Sequence, residues 1–258
     1  MTTSHMTQKQ QVRDLLKSIE TGDGGPAAAI NPNKYIQHNL AAKNGLAGFR
    51  ELMAQVPKGS ARTNTNRVFQ DGDFVFAHTE YDFFGPKIGF DIFRFDNGKI
   101  VEHWDNLQET PEKPSPGGHT MIDGPTDARD LDKTEPNKAV VRSFVEDILV
   151  NRRMEKLAGY YDGDRYIQHN PQVPDGVSGL RSALKGLADH GVELKYDRIH
   201  RVLGEGNFVL VVSEGSFGGK PTSFYDLFRL ENGKIAEHWD TLEPIPGRDQ
   251  WKNDNGKF

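Results

Sequence analysis

The chain has 258 residues, a formal net charge of −5 at pH 7 and no cysteine. Its length suits one large domain or two small ones, and its acidic balance gives no electrostatic reason to expect nucleic acid as a partner. The lack of cysteine excludes disulfides, thiolate catalysis and cysteine-ligated zinc. It is compatible with a reducing cytoplasm, where we expect the protein to work. No apolar run approaches the ~18 residues that a membrane span needs.

The first half opens with three predicted helices. The first seven residues lack the basic region and the apolar core of a signal peptide, so we expect folded structure to begin at Thr7. A capping box of Thr7 and Gln10 starts an amphipathic helix that stops before Gly22. A short second helix is predicted over residues 27–30. A third is predicted over residues 45–54, where apolar side chains recur at helical spacing.

Strands complete the first half. The stretch Lys-Tyr-Ile-Gln-His-Asn at residues 34–39 predicts a short strand, and longer strands are predicted over residues 62–69 and 74–83, ahead of a hairpin. Helices followed by a meander of antiparallel strands are typical of an α+β domain, with the helices on one face of a curved sheet. We expect the curvature to leave a cavity between sheet and helices.

The hairpin stretch occurs twice in the chain. Residues 91–105 read Asp-Ile-Phe-Arg-Phe-Asp-Asn-Gly-Lys-Ile-Val-Glu-His-Trp-Asp, and residues 226–240 read Asp-Leu-Phe-Arg-Leu-Glu-Asn-Gly-Lys-Ile-Ala-Glu-His-Trp-Asp. In each copy Asn-Gly joins two β-rich runs, which is the sequence signal of a tight hairpin. The duplication predicts two tandem copies of one domain.

The form of the turn decides which side chains of the hairpin meet. A two-residue Asn-Gly turn would set Asp91 opposite Trp104. A three-residue loop with Gly98 in the left-handed conformation would set Asp91 opposite His103. We favour the three-residue loop.

The favoured turn sorts the hairpin side chains into two faces. One face would hold Asp91, Phe93, Val101, His103 and Asp105. The other face would hold Ile92, Arg94, Ile100, Glu102 and Trp104, with Arg94 and Glu102 paired. Carboxylates and an imidazole beside apolar residues are typical of a small-molecule pocket. In the second copy the same constellation would be formed by Asp226, His238 and Asp240.

The second half repeats the layout of the first. Prolines and glycines interrupt residues 109–135, which predicts a linker. Helical and strand patterns then recur in the same order, including the short motif Tyr-Ile-Gln-His-Asn at residues 166–170. We therefore expect two domains, over residues 7–108 and 136–247, followed by a tail at residues 248–258.

Two motifs resemble a known family. Tyr-Ile-Gln-His-Asn after the second helix, and Asp-Ile-Phe-Arg…Asn-Gly-Lys-Ile-Val-Glu-His-Trp-Asp at the end of the sheet, resemble the SnoaL-like branch of the nuclear-transport-factor-2-like superfamily, which takes its name from polyketide cyclases. The resemblance covers both halves. It implies cone-shaped α+β domains, each a curved antiparallel sheet wrapped by about three helices and enclosing a pocket.

The resemblance also bears on assembly. Single-domain relatives commonly dimerise through their sheets, so we expect the two repeats to pack as an intramolecular pseudo-dimer through the faces that carry Trp104 and Trp239. A homodimer of such chains is left open. A small hydrophobic molecule is the partner that the pocket implies, and neither nucleic acid nor a membrane is expected.

Catalytic roles follow from the resemblance residue by residue. Asp105 and Asp240 match the carboxylate that cyclase and epoxide-hydrolase relatives keep on the last strand. Asp91 and Asp226 match the acid with which ketosteroid isomerases hydrogen-bond a developing oxyanion. The sequence departs from two of these patterns, because neither the isomerase tyrosine nor the Arg/Asp pair of the epoxide hydrolases is identified.

Further side chains are candidates for substrate binding. The resemblance places the short strand of each repeat at the pocket mouth, and inward-facing residues of other strands would line the cavity. The expected substrate-binding set is His38, His78, Glu80, Phe93, His169, Glu214 and Phe228. The alternative for His38 and His169 is a structural role. For the hairpin residues, the alternative is that His103 and Asp105 lie solvated at the rim of a strand and that Asp91 is satisfied by a backbone amide. No close pair such as His-x-x-x-His supports a metal site, so we expect no metal and no organic cofactor.

The reaction is predicted from these groups. Proton transfer next to a carbonyl needs a base near the α-carbon and a donor for the enolate oxygen, and aspartate and histidine can supply both. The expected catalytic residues are Asp91, His103 and Asp105, with Asp226, His238 and Asp240 in the second copy. We predict a cofactor-independent cyclase, isomerase or lyase for a small apolar carbonyl compound. The alternatives are a non-enzymatic protein that binds a small hydrophobic ligand, and a hydrolase of the limonene-epoxide type.

Overall fold

The computed structural model describes residues 6–56 and 59–258. The expectation about the N-terminal leader falls partly on residues 1–5, which lie outside the described residues. The chain forms two compact units. The first contains the chain up to Glu109 together with Pro246–Phe258, and the second contains Thr110–Ile245.

The first unit is an α+β fold built on one five-stranded sheet. Its elements are α1 (Gln8–Thr21), a 3-10 helix (Gly25–Ala29), β1 (Ile36–Gln37), α2 (Gly45–Gln55), β2 (Arg62–Asp71), β3 (Phe74–Asp82), β4 (Pro86–Asp96) and β5 (Lys99–Glu109). The strand order is β1-β5-β4-β3-β2. Only β1 runs parallel to its neighbour β5, and the other described pairs are antiparallel.

The helix boundaries follow from local chemistry. The Thr7 hydroxyl accepts the backbone N–H of Gln10 at 3.2 Å, which confirms the predicted start of α1. The Gln10 side chain instead donates to Asp14, so the capping box is only half formed. Gly22 ends the helix in the left-handed conformation and donates its N–H to the Ser18 carbonyl.

One face of the first sheet carries the core of the unit. Val75 and Ala77 on β3 and Phe93 on β4 pack with Leu15 and Leu16 of α1, all buried. Because side chains alternate along a strand, this inner face also carries Asp91, as well as the residues of β5 that pair with this face. The helices therefore cover the face on which the acidic residues lie.

The second unit repeats this architecture. Its elements are α3 (Thr134–Phe144), which continues as a π-helix (Val145–Val150), a 3-10 helix (Met154–Tyr160), β6 (Ile167–Gln168), α4 (Gly176–Asp189), β7 (Leu194–Glu205), β8 (Phe208–Phe217), β9 (Lys220–Glu231) and β10 (Lys234–Pro244). The sheet order, β6-β10-β9-β8-β7, is the same as in the first unit. Its inner face carries Val209, Val211 and Phe228 in the core.

The hairpin turn differs from the prediction. Asn97 and Gly98 have φ angles of +50° and +75°, as in a two-residue type I′ turn, and Asp96 pairs with Lys99. The three-residue loop is therefore wrong. A bulge at Val101 then shifts the register by one residue. The second hairpin has the same turn and the same bulge.

The bulge gives a register that neither predicted turn contains. Asp91 lies opposite Asp105, and Phe93 lies opposite His103. The shift of two residues relative to the favoured loop preserves side-chain parity, so these four residues still share one face. Ile100, predicted for the other face, lies before the bulge and packs in the inner core.

The segment after β5 belongs to the second unit, and the segment after β10 belongs to the first. The predicted linker contributes residues 110–130 to the second unit, and the predicted tail packs within the first. In the first unit the Lys252 N–H donates to the Leu40 carbonyl, and Asn253 donates to the carbonyls of Asn39 and Ala42. Among the helices of residues 6–56 and 59–258, none combines the length and apolarity needed to cross a bilayer.

Candidate acid–base site

A histidine on β5 lies at the centre of the first cluster. His103 Nε2 is 2.9 Å from Asp91 Oδ1, and its Nδ1 is 2.9 Å from Gln37 Oε1. The parallel pairing of β1 with β5 sets Gln37 beside His103. Gln37 Oε1 also accepts the Asn39 backbone N–H, which fixes the orientation of the amide. Each ring nitrogen of His103 therefore faces an oxygen acceptor.

The second carboxylate of this cluster is that of Asp105. It lies directly opposite Asp91 on the neighbouring strand and is only 5% exposed. Asn39 Nδ2 donates to its Oδ2 at 2.5 Å, and Lys257 Nζ, which is also buried, lies 3.7 Å from its Oδ1. The C-terminal segment thus brings a cation to a buried carboxylate of the first unit.

A tyrosine that the sequence did not reveal completes the first cluster. The Tyr81 hydroxyl on β3 donates to Asp91 Oδ2 at 2.6 Å. Burial, and the nearby Asp91 carboxylate, raise the pKa of Tyr81 well above its usual value, so it stays a donor. Phe93 stacks on His103 with ring centroids 4.6 Å apart and closes the cluster on its apolar side.

The second unit contains the same cluster. His238 Nε2 is 2.9 Å from Asp226 Oδ1, and His238 Nδ1 is 2.9 Å from Gln168 Oε1. Asp240 lies opposite Asp226, and its Oδ2 accepts from Asn170 Nδ2 at 2.7 Å. Phe228 lies beside His238 at 4.8 Å between ring centroids. The predicted Asp/His/Asp constellation is therefore assembled in both units.

The phenol donor comes from a different strand in the second unit. Tyr196 on β7 donates to Asp226 Oδ2 at 3.2 Å. Tyr196 pairs with Gly215 of β8, whereas in the first unit Thr63 of β2 pairs with Tyr81 of β3. The tyrosine thus lies on β3 in the first unit but on β7, the counterpart of β2, in the second. The alternating pattern of a single strand cannot reveal such an exchange.

Protonation in the second cluster is shifted toward neutral pH. Burial, together with the charge of Asp226, raises the pKa of Asp240 to about 6, and His238 and the Asn170 hydrogen bond only partly offset this. Burial lowers the pKa of His238, but its hydrogen bond to Asp226 and the charges of Asp240 and Asp226 outweigh that effect and raise the pKa overall. Among the described residues, no hydrogen-bond donor reaches Asp240 Oδ1, which is buried.

The histidines of the repeated Gln-His-Asn motif lie elsewhere. His38 stacks on Trp104, and its Nε2 is 2.9 Å from Glu102 Oε1. His169 stacks on Trp239, and its Nε2 is 2.8 Å from Glu237 Oε1. These partners belong to the opposite face of each sheet, so neither histidine reaches its acid cluster. The motif reaches the cluster through its glutamine and asparagine instead.

The predicted pair on that opposite face is confirmed. Arg94 Nε donates to Glu102 Oε2 at 2.8 Å, and Arg229 does the same to Glu237 at 2.6 Å. Each glutamate therefore links an arginine to a motif histidine.

Three other predicted binding residues are also absent from the clusters. His78 stacks on Phe90 and lies 3.1 Å from an Arg67 nitrogen, on the opposite face from Asp91. Exposed Glu80 and partly buried Glu214 share the parity of that face, and Glu214 forms ion pairs with neighbouring β7 side chains. The sequence-based expectation that His78 faces the cavity is corrected by the register of β3 with β4.

A cleft in the second unit lies next to the acid cluster. Its volume is about 680 Å³, and its walls include Tyr161, Tyr166, Arg229 and Ile235. Asp226, His238 and Asp240 are not among its lining residues. Tyr166 connects the two regions, because its ring lies 6.4 Å from the His238 ring.

Three groups of side chains among the described residues have donor atoms close enough for a metal ion. Two are the acid clusters themselves. In both of them the histidine nitrogen that faces the carboxylates lies 2.9 Å from an aspartate oxygen, the arrangement already described for the acid–base site. The third group, His119, Asp123 and His169, lies outside the acid cluster.

One family model matches part of the chain. A model described as SnoaL-like domain matches residues 141–238. Comparison with curated proteins gives no match.

Structural likeness extends to several proteins, each of which covers about one repeat. TsrD from Streptomyces laurentii is 19% identical over 38% of this chain and 86% of its own, with a TM-score of 0.34. A candidate ketosteroid isomerase from Kribbella flavida is 21% identical over 45% and 87%, with a TM-score of 0.35. A candidate polyketide cyclase from Bacillus cereus is 18% identical over 40% and 79%, with a TM-score of 0.34.

Proposed function

We propose that this chain, whose second unit contains a SnoaL-like domain, is an acid–base enzyme that transfers a proton next to the carbonyl group of a small, mostly apolar compound. The proposed reaction class is an aldol-type cyclisation, an isomerisation or a lyase reaction without an organic cofactor. One observation carries the proposal. Asp240 is buried, its Oδ1 accepts no hydrogen bond from the described residues, and its pKa is raised to about 6.

The roles in the second unit follow from these contacts. A general base works best when its pKa lies near the working pH, and a raised carboxyl pKa brings Asp240 into that range. Its unoccupied Oδ1 would take the proton from the substrate carbon. His238, with a raised pKa, would hold the Asp226 side chain in place through the 2.9 Å hydrogen bond. The Tyr196 hydroxyl, which donates to Asp226 in the free protein, would turn to the substrate and donate to a developing enolate oxygen.

The first unit has the same groups in a different electrostatic setting. Lys257 lies 3.7 Å from Asp105 Oδ1 and shares its burial. The Lys257 ammonium would compete with a substrate for this oxygen atom. We propose that the second unit contains the main catalytic site. Asp91, His103 and Asp105 would then form a weaker site in the first unit.

Substrate would approach the second cluster from the neighbouring cleft. Tyr166 lines that cleft, and its ring lies 6.4 Å from the His238 ring, which makes this residue the proposed point of entry. The apolar side chains around the cluster, such as Phe228, favour a hydrophobic substrate. A cytoplasmic location remains part of the proposal.

The test uses proton exchange, because it needs no knowledge of the natural substrate. Exchange of α-protons for deuterium in D₂O is followed by NMR for a panel of hydrophobic ketones and β-dicarbonyl compounds. We expect exchange catalysed by the wild-type chain to fall at least about 100-fold in Asp240→Asn. The matched variant Asp105→Asn should retain most of it. Equal rates in wild type and Asp240→Asn would contradict the proposal.

A second candidate function is binding without turnover. It is favoured by one observation: Lys257 already pairs with the carboxylate of the first unit. A hydrophobic ligand that binds tightly and is recovered unchanged, with no pH-dependent exchange, would support it. Incorporation of ¹⁸O from labelled water into a product would instead support hydrolysis, the remaining alternative.

A further inference from the structure

A cluster of two histidines and one aspartate lies in the second unit, outside the acid–base site. It consists of His119 and Asp123 from the segment before α3, and His169 from the end of β6. One donor atom from each of the three side chains lies within 4.8 Å of the other two. His169 lies on the Trp239 face of the sheet, opposite the face of Asp240.

Both imidazoles are oriented by a carboxylate on their outer nitrogen. His169 Nε2 is 2.8 Å from Glu237 Oε1, and His119 Nε2 is 3.2 Å from Asp175 Oδ2. A carboxylate at this place fixes the ring and leaves the other nitrogen directed toward a ligand, which is the usual environment of a metal-binding histidine.

The inner nitrogens of both rings point to the same aspartate. His169 Nδ1 is 2.8 Å from Asp123 Oδ1, and His119 Nδ1 is 4.0 Å from Asp123 Oδ2. The Thr120 carbonyl oxygen lies 2.7 Å from His169 Nδ1. One nitrogen of each imidazole thus lies close to the Asp123 carboxylate, and the Thr120 carbonyl contacts one of these nitrogens.

We propose that His119, Asp123 and His169 bind one first-row transition metal ion of the zinc type. Imidazole and carboxylate ligands suit Zn²⁺ in tetrahedral geometry, with a fourth position open to water or to the Thr120 carbonyl. Three carboxylates, those of Asp123, Asp175 and Glu237, surround the site and would compensate the charge of the ion. A metal bound at His169 Nδ1 would take the place of a proton on that nitrogen.

The first unit is a natural control for this proposal. His38 keeps the same surroundings as His169, with Glu102 at Nε2 and the Gly256 carbonyl 2.8 Å from Nδ1. Asn255, however, stands where the second unit has His119, and its amide donates to Asn44, which stands in the place of Asp175. Amides replace both an imidazole ligand and its supporting carboxylate. One ion per chain is therefore expected.

The ion would have a structural role. Asp123 and Thr120 belong to the segment that enters the second unit from β5, and the Asp123 carbonyl already accepts the Trp239 indole N–H at 2.9 Å. A metal bound to the three side chains would fasten this segment to β6 and, through Asp175, to the start of α4. The inference does not depend on the proposed enzymatic function.

The test measures metal binding directly. The full chain is stripped with a chelator and titrated with Zn²⁺ by calorimetry, and the bound metal is counted by elemental analysis. We expect one Zn²⁺ per chain. His119→Asn, which copies the first unit, and Asp123→Asn should each weaken Zn²⁺ binding by at least about 100-fold. His190→Asn, a change at an exposed histidine of the same unit, should leave it unchanged.

Two further measurements separate loss of metal binding from loss of folding. The side chains of His119 and Asp123 are 31% and 46% exposed, so both variants should fold, and unfolding of the stripped proteins verifies this. Co²⁺ should give the visible absorption of a tetrahedral site in the wild type and not in His119→Asn. Zn²⁺ binding of equal strength in wild type and both variants, two ions per chain, or no binding at all would each overturn the proposal.

Discussion

Lys257 and Met121 hold equivalent positions in the two units. Each follows the residue whose carbonyl contacts the motif histidine: Gly256 O is 2.8 Å from His38 Nδ1, and Thr120 O is 2.7 Å from the Nδ1 of His169. Both side chains are buried. The first acid cluster thus receives a cation where the chain of the second unit carries a thioether. This exchange is one electrostatic difference between the two sites.

Changing Met121 to lysine should give the acid cluster of the second unit a buried cation like that of the first unit. A buried cation at this position favours the ionised form of Asp240, so the pKa of that residue should fall below about 6. The acid limb of the pH–rate profile for α-proton exchange should move to lower pH by the same amount. Met121→Gln, a neutral polar replacement, is the control. An unchanged acid limb in Met121→Lys would show that residue 121 does not act on Asp240.

Removing the cation from the first site should cost stability. Lys257→Met leaves the buried Asp105 carboxylate without its charged neighbour, and breaking a buried ion pair costs up to about 3–5 kcal/mol. We expect a loss toward the lower end, because the separation is 3.7 Å. Denaturant unfolding at pH 7 measures it. The double variant Lys257→Met/Asp105→Asn should recover most of the loss, and an equal loss in single and double variants would contradict the pairing.

Asp240 should make the stability of the chain depend on pH. Its pKa is raised in the folded state, so its favourable contribution is complete below pH ~4, the unfolded pKa, and is lost as the pH rises to about 6. At pH 7 the ionised group costs about 3 kcal/mol, from roughly two pH units at 1.36 kcal/mol each. Asp240→Asn should therefore be more stable than wild type at pH 7 and nearly equal to it at pH 4. A destabilised variant at pH 7 would refute this.

The exchanged tyrosines should differ in their effect on activity. Tyr196→Phe removes the hydroxyl that contacts Asp226, and loss of one such donor typically costs about 10²–10³ in rate. Tyr81→Phe makes the same change in the first unit, where Lys257 pairs with Asp105, and should cost little. Both are compared in the exchange assay. A larger loss of exchange activity in Tyr81→Phe would indicate that the main catalytic site lies in the first unit.

Gly215, the residue of β8 that pairs with Tyr196, should tolerate no side chain. A Cβ at Gly215 would lie 1.9 Å from the Lys195 carbonyl oxygen, so Gly215→Ala must displace backbone and should destabilise the chain by about 1–3 kcal/mol. Gly186→Ala in α4 meets nothing within 4 Å and should stabilise by about 0.5–1 kcal/mol. Thermal unfolding of the two variants distinguishes them. Equal stability would mean that β7 does not approach β8 this closely.

Much of the fold could be predicted from the sequence because the same motifs occur in it twice. The repeated hairpin and the helical spacing predict two α+β units, and the elements lie close to the predicted positions. The bulge at Val101 was not predictable, since nothing in a single strand marks the extra residue. The residues predicted to share a face with Asp91 were still correct, because the observed register differs from the predicted one by two residues and an even shift preserves side-chain parity.

Other parts of the site depend on contacts that no local pattern contains. β1 has two residues, Ile36 and Gln37, which is too short for alternation to show that Gln37 and not His38 faces the cluster. Tyr81 and Tyr196 lie far from the hairpins in sequence. The positions of Lys257 and Met121 depend on the segments that follow β10 and β5, whose composition indicates only a tail and a linker.

The most direct test of the account is an NMR titration of the Asp240 side-chain carboxyl carbon in the wild-type chain, with Asp240→Asn used for assignment. We predict a midpoint at about pH 6, because burial and the charge of Asp226 raise its pKa. Catalysed α-proton exchange should show the same midpoint. A carboxyl that titrates near pH 4, or exchange that ignores its ionisation, would contradict the proposal that this residue is the base.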